Sequence, residues 1–144
     1  MPTANNFAEL ERLLKQKIAS ALQVDVAHTV KDNLKQSIED NVYDVYTPTV
    51  YERQRDQGGL TDERNIAVEM IGQDTVSIES QRMDGSKNVS LVVETGQGYD
   101  FEFAYSGRPR PFVEKTVEEL HNTNAHVAAL HRGLERQGLD VEVK

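Results

Sequence analysis

Cysteine and tryptophan are both absent from the 144-residue chain. Without cysteine there is no disulfide framework, thiol nucleophile, cysteine zinc site or iron–sulfur cluster, a composition that suits a reducing compartment. Uninterrupted apolar runs such as Leu91-Val92-Val93 fall far short of the roughly 20 residues a helix needs to span a bilayer, so neither a membrane span nor a secretory core is expected. Basic residues are also in deficit: 16 against 24 acidic ones leave a net charge of −8. That balance argues against a broad face wrapping a nucleic-acid backbone, though it allows a local basic patch. The length predicts one domain, residues 1–144. Such a chain can bury roughly 68–70% of its unfolded surface, enough for a core without metal or disulfide staples.

Neither glycine nor proline interrupts residues 5–46. Phe7, Leu10, Leu14, Ile18 and Leu22 recur at spacings of three or four, with Asn5 or Asn6 placed to cap them, which predicts an amphipathic helix. Val26, Val30, Leu34, Ile38, Val42 and Val45 continue the stripe. Residues 5–46 therefore read as one long helix or two, with the stripe in the core. The pattern stops at Thr47-Pro48, because proline lacks an amide proton and biases the preceding residue away from helix. Residues 47–65 are polar and lead through Arg53, Arg55, Asp56 and Gln57 to Gly58-Gly59. They are expected to form an extended loop, and loops of that length are commonly functional.

Over residues 66–105 the period becomes two. Ile66, Val68 and Met70 alternate with other residues, as do Val76 and Ile78, then Val89, Leu91 and Val93, then Tyr99, Phe101 and Phe103. Four strands are predicted, with Asp84-Gly85 supplying a hairpin turn. Residues 107–111 form a proline-containing arm, Gly107-Arg108-Pro109-Arg110-Pro111. Residues 112–137 show helical spacing from Phe112 to Leu134 with a stop at Gly138, and Gly133 predicts a frayed or bent end. The tail, 138–144, alternates like a strand. The resulting class is α+β: an antiparallel four-stranded meander covered on one side by a long N-terminal helix, or two, and a C-terminal helix.

Catalytic chemistry finds little support. His121, His126 and His131 are spaced by five, a rotation of roughly 140° per step that prevents consecutive members from sharing a helix face, so they read as solvated rather than metal-binding. Asp84 to Asn88 begins like a calcium loop but has Val89 and Thr95 where glycine and glutamate are needed. No nucleophile elbow or phosphate-binding glycine loop is present. Glu69, Glu79, Glu94, Asp100 and Glu102 read as a solvent face. No cofactor, metal or catalytic residue is expected, and the protein reads as a non-enzyme. The arginines are more suggestive. Arg53 and Arg55 in the loop and Arg108 and Arg110 in the arm, near Tyr46, Tyr51 and Phe112, have the composition of interface anchors. The same residues also suit scattered surface charge.

The order of these features carries a resemblance. A long helix ending at Tyr46-Thr47-Pro48, the loop Val50-Tyr51-Glu52-Arg53 with Gly58-Gly59-Leu60, and a strand at Ile66 resemble the tailed-bacteriophage head–tail joining proteins, the tail-completion or neck family. Val93-Glu94-Thr95-Gly96 and Arg108-Pro109-Arg110-Pro111-Phe112 before the closing helix resemble the family's second half. Gly58-Gly59-Leu60-Thr61 departs from the family's basic threonine-glycine-leucine step. The resemblance implies a virion subunit in the neck or tail, assembled in the host cytoplasm. It would form a ring, commonly a hexamer, with connector, stopper, tail-terminator or tail-tube proteins as partners. DNA would pass without sequence-specific binding, and no membrane would be involved. Interface residues would include Leu60 beside the arginines and aromatics. The alternative is a small cytoplasmic adaptor or binding domain without catalytic activity; a hydrolase built on the strand carboxylates is a third reading.

Overall fold

Apolar residues at every fourth position, 22 through 42, overshoot a helix of 3.6 residues per turn by about 40° per step. An unbroken α-helix would wind this stripe around its own axis. In the computed structural model, which describes residues 5–48 and 53–142, two wide turns take up the excess. Helix α1 (Phe7–Ser20) gives way to a π turn at Ala21–Val26, followed by α2 (Ala27–Ile38) and a second π turn at Glu39–Tyr43. Each wide turn accommodates an extra residue, and Val26, Leu34, Ile38 and Val42 are all buried. The Asn6 side chain accepts the Glu9 N–H at 2.8 Å and caps α1. The stripe of α1 itself departs from expectation. No residue of α1 is buried, and Phe7, Leu10 and Leu14 are 90%, 42% and 37% exposed.

The chain forms two compact units. One comprises the described parts of Met1–Val30, Val68–Ile78 and Thr123–Lys144. Its helix α5 (Ala125–Arg136) packs on the first π turn at Gly133, where an added Cβ would lie 2.5 Å from Asp25 Oδ2 and 2.8 Å from Ala21 Cβ. Gly133 is thus a buried packing position, and α5 runs past it without fraying. Gln137 donates to Lys17 O and Lys17 Nζ donates to Gln137 O, both at 2.8 Å, while Arg136 pairs with Asp25 at 2.9 Å. The helix stops where Gly138 takes φ +88°. His126 and His131 are half-buried rather than solvated, and His131 Nε2 lies 2.5 Å from Val141 O. That contact holds a tail with no strand at 139–142.

The other unit comprises the described parts of Lys31–Ala67 and Glu79–Asn122. Strands β1 (Ile66–Ile71) and β2 (Thr75–Ser80), which extend across both sets of residues, pair as the alternation predicts. The four-stranded meander does not form. β3 (Met83–Asp84) and β4 (Lys87–Asn88) make a separate two-stranded sheet, with Met83 opposite Asn88 and Asp84 opposite Lys87. The expected third strand is a helix, α3 (Val89–Thr95). The Asn88 side chain accepts the Leu91 N–H at 3.1 Å at its start, and Gly96, at φ +74°, ends it. Val89, Val92 and Val93 also satisfy helical spacing, so the caps decided between two periods. Residues 99–105 form bends and turns instead of a fourth strand. The buried apolar residues here are Leu34, Ile38, Val42, Tyr43, Leu60, Ile66, Val93 and Phe112, drawn from helices and loop except for Ile66 on β1, rather than from a broad sheet. The closing helix is also divided, into α4 (Phe112–Thr123) and α5. Asn124 separates them at φ +54°, a left-handed conformation that asparagine tolerates better than most residues. Among the described residues, no helix is long and apolar enough to cross a membrane.

Candidate functional site

The loop after Pro48 is tied down from within. Asp62 accepts N–H bonds from Gly58 at 2.7 Å and Arg64 at 2.9 Å, and the Arg64 guanidinium closes on the same carboxylate at 2.6 Å. Asn65 donates to Gly58 O at 3.1 Å and Gly59 O at 2.9 Å. The Arg64 side chain, then backbone N–H groups, hold the Asp62 carboxyl well below the usual carboxylate range. A depressed folded pKa contributes stability above the unfolded value, near pH 4, that is lost as pH falls through the folded value. Asp62→Asn is therefore expected to be less stable than the parent at pH 7, with the gap narrowing below roughly pH 4 in urea melts.

This loop delivers its arginines to a set of rings. Arg53 donates to Tyr43 O at 2.5 Å and to Tyr46 O, and its guanidinium lies 5.0 Å from the Tyr43 ring centre and 5.8 Å from that of Tyr46. Arg55 lies over the Tyr43 ring at 4.9 Å and pairs with Glu39 at 3.1 Å. Burial pushes the Tyr43 phenol up from its ordinary pKa. Tyr46 meets Phe103 at 5.4 Å and Tyr105 at 5.8 Å, and Phe103 meets Tyr99 at 4.7 Å. On the arm, Arg110 lies 5.0 Å from the Tyr105 ring centre and 5.8 Å from Phe103, and it donates to Tyr99 Oη at 2.8 Å. The alternation at 99–105 thus stacks rings on one another and under an arginine, rather than aligning a strand.

Of the predicted interface residues, the structure brings Tyr46, Arg53, Arg55 and Arg110 into this cluster. Arg55 and Arg108 are exposed, Tyr46 and Arg53 are half-buried, and Leu60, Arg110 and Phe112 are buried. Arg108 is linked to the cluster through the bond from its backbone N–H to Tyr105 O at 3.0 Å. Tyr51 lies outside the described residues. Sequence reasoning passed over Tyr43, Tyr105 and Arg82; four rings within residues 99–105 were the available signal for the aromatic part. Glu94 accepts the Val113 and Glu114 N–H groups at 2.8 and 3.2 Å and caps α4, while Asp100 pairs with Lys87 at 2.7 Å. Among the described residues, no group of three or more His, Asp or Glu side chains is placed to hold a metal ion.

The sequence relationships agree on a phage-derived class of protein. Within that class the chain belongs to the YomN family, whose model matches residues 6–136. It is 34% identical to the SPbeta prophage-derived uncharacterized protein YomN of Bacillus subtilis (strain 168), over 96% of this chain and 99% of that one. No solved structure matches it significantly.

Proposed function

We propose that the protein is a structural virion subunit that joins the head to the tail of a tailed phage or prophage, in a tail-completion or neck role, as a ring of copies. The observation that carries this reading is the apolar stripe of α1, where Phe7, Leu10 and Leu14 lie exposed on a helix with no buried residue. Such a face fits a neighbouring subunit. A prophage-derived relative and the order of motifs along the chain support the same reading. Ring subunits need two different patches that meet. The stripe of α1 supplies one, and the exposed arginines Arg55, over the Tyr43 ring, and Arg108, bonded through its N–H to Tyr105, supply the other. Arg53, Arg110, Leu60 and Phe112 act from within, holding that surface in place. Connector, stopper, tail-terminator or tail-tube proteins are the neighbours in this reading, and a net charge of −8 suits a channel that lets DNA pass.

Electron microscopy of particles produced with and without the gene tests the role directly: detached heads and tails are expected in its absence. The double substitutions Phe7→Ser/Leu10→Ser and Arg55→Glu/Arg108→Glu are expected to fold and to lower the yield of joined particles by about tenfold or more, as loss of interface anchors does. Full joining by both variants would overturn the assigned surfaces, and normal particles without the gene would overturn the role.

A further inference from the structure

Three arginines, Arg53, Arg82 and Arg110, line one cavity of about 320 Å³ with Tyr43, Gln54 and Leu60 among its walls. None of its described lining residues is acidic. Arg110 is only 6% exposed, and its Nε–H is buried without a hydrogen-bond partner. Its other donors reach Val42 O at 3.4 Å and Tyr99 Oη at 2.8 Å, and two aromatic rings lie against it, so the groups bonded to and stacked on this cation are neutral. Arg82 donates to Gly58 O at 3.0 Å and Gln54 Oε1 at 3.1 Å, again neutral acceptors. Burying a guanidinium with an unfilled donor and only neutral groups bonded to it is costly. An oxyanion in the cavity would set a negative charge beside these cations and accept charge-assisted bonds from the guanidinium groups it reaches. A second cavity lined by Arg82 and Arg110 contains Asp84 and Asp100, which disfavour an anion there.

We propose that the first cavity binds a small oxyanion of the phosphate class, held between Arg82 and Arg110. Its volume equals the liquid share of roughly ten water molecules, room for the ion and part of its hydration shell. A duplex backbone offers the same phosphate chemistry, but it is too wide to reach a side chain as enclosed as Arg110. The site does not depend on the head–tail role.

Phosphorus NMR of inorganic phosphate titrated with the protein, together with thermal melts in phosphate and in sodium chloride at equal ionic strength, tests the site. Broadening of the phosphate line and a melting temperature higher by about 3–6 °C at saturating phosphate are expected. Both responses should be lost in Arg82→Gln and in Arg110→Gln; if the buried Arg110 variant fails to fold, Arg82→Gln carries the test. A duplex oligonucleotide at the same phosphate concentration is expected to give no such shift. Equal melting in phosphate and chloride, an unchanged response in Arg82→Gln, or a response to duplex alone would overturn the proposal.

Discussion

Replacing Phe112 with alanine is expected to destabilise the protein by about 3–5 kcal/mol, the cost of emptying a fully enclosed aromatic site. Phe112 is 0% exposed and, among the described residues, is one of the two largest side chains shut away from solvent. Its backbone is held as firmly as its ring. Ser37 Oγ donates to Phe112 O at 2.6 Å and Thr116 Oγ1 donates to the same oxygen at 2.7 Å. Phe112→Leu keeps most of the volume and is expected to cost less than about 1.5 kcal/mol. Urea melts followed by circular dichroism separate the two substitutions. Equal losses would show that the site collapses freely or is not enclosed.

The second large effect is expected at Gly96, and for a different reason. Gly96 adopts φ +74° at the end of α3, and a Cβ there would lie 2.3 Å from Arg108 C and 2.4 Å from Arg108 O. Both are backbone atoms that cannot rotate aside. Gly107 N–H donates to Gly96 O at 2.7 Å and Arg110 N–H donates to Val93 O at 3.0 Å, which straps the proline-containing arm to the helix end. Gly96→Ala therefore combines a left-handed penalty of about 1–2 kcal/mol with an overpacking cost of about 1–3 kcal/mol. Gly85 provides the control: its φ is +61°, but nothing lies within 4 Å of an added Cβ. Gly85→Ala should show the left-handed penalty alone, about 1–2 kcal/mol. A Gly96 variant no weaker than the Gly85 variant in urea would mean that the arm does not lie against α3.

The parts of this fold that local patterning could reveal are those where one period has no rival. The stripe from Leu22 to Val42 fits only a helical period and forms α2 with its two flanking π turns, and the alternation from Ile66 to Ile78 fits only a strand period and forms β1 and β2. Val89 to Val93 fits both periods, and the choice fell to Asn88 and Gly96, cap residues that a search for hairpin turns passes over. Asp84-Gly85 does turn the chain, but each strand beside it is only two residues long. Asn124 divides the last helix with no glycine or proline to announce it. For the candidate site, arginine and aromatic content pointed to the right segments. Composition could not show which arginines face outward, because the burial of Arg110 and exposure of Arg55 depend on tertiary packing. Arg82, remote in sequence from both loop and arm, carried no local signal at all.

The placement of the rings has a practical consequence. With tryptophan absent, and Tyr43, Tyr46, Tyr99 and Tyr105 all in the unit that holds Phe112, the ultraviolet emission of the described tyrosines reports on that unit. The seam where Gly133 meets Ala21 is optically silent. A fluorescence melt would follow one part of the molecule, and a tryptophan placed on α5 would be needed to watch the other.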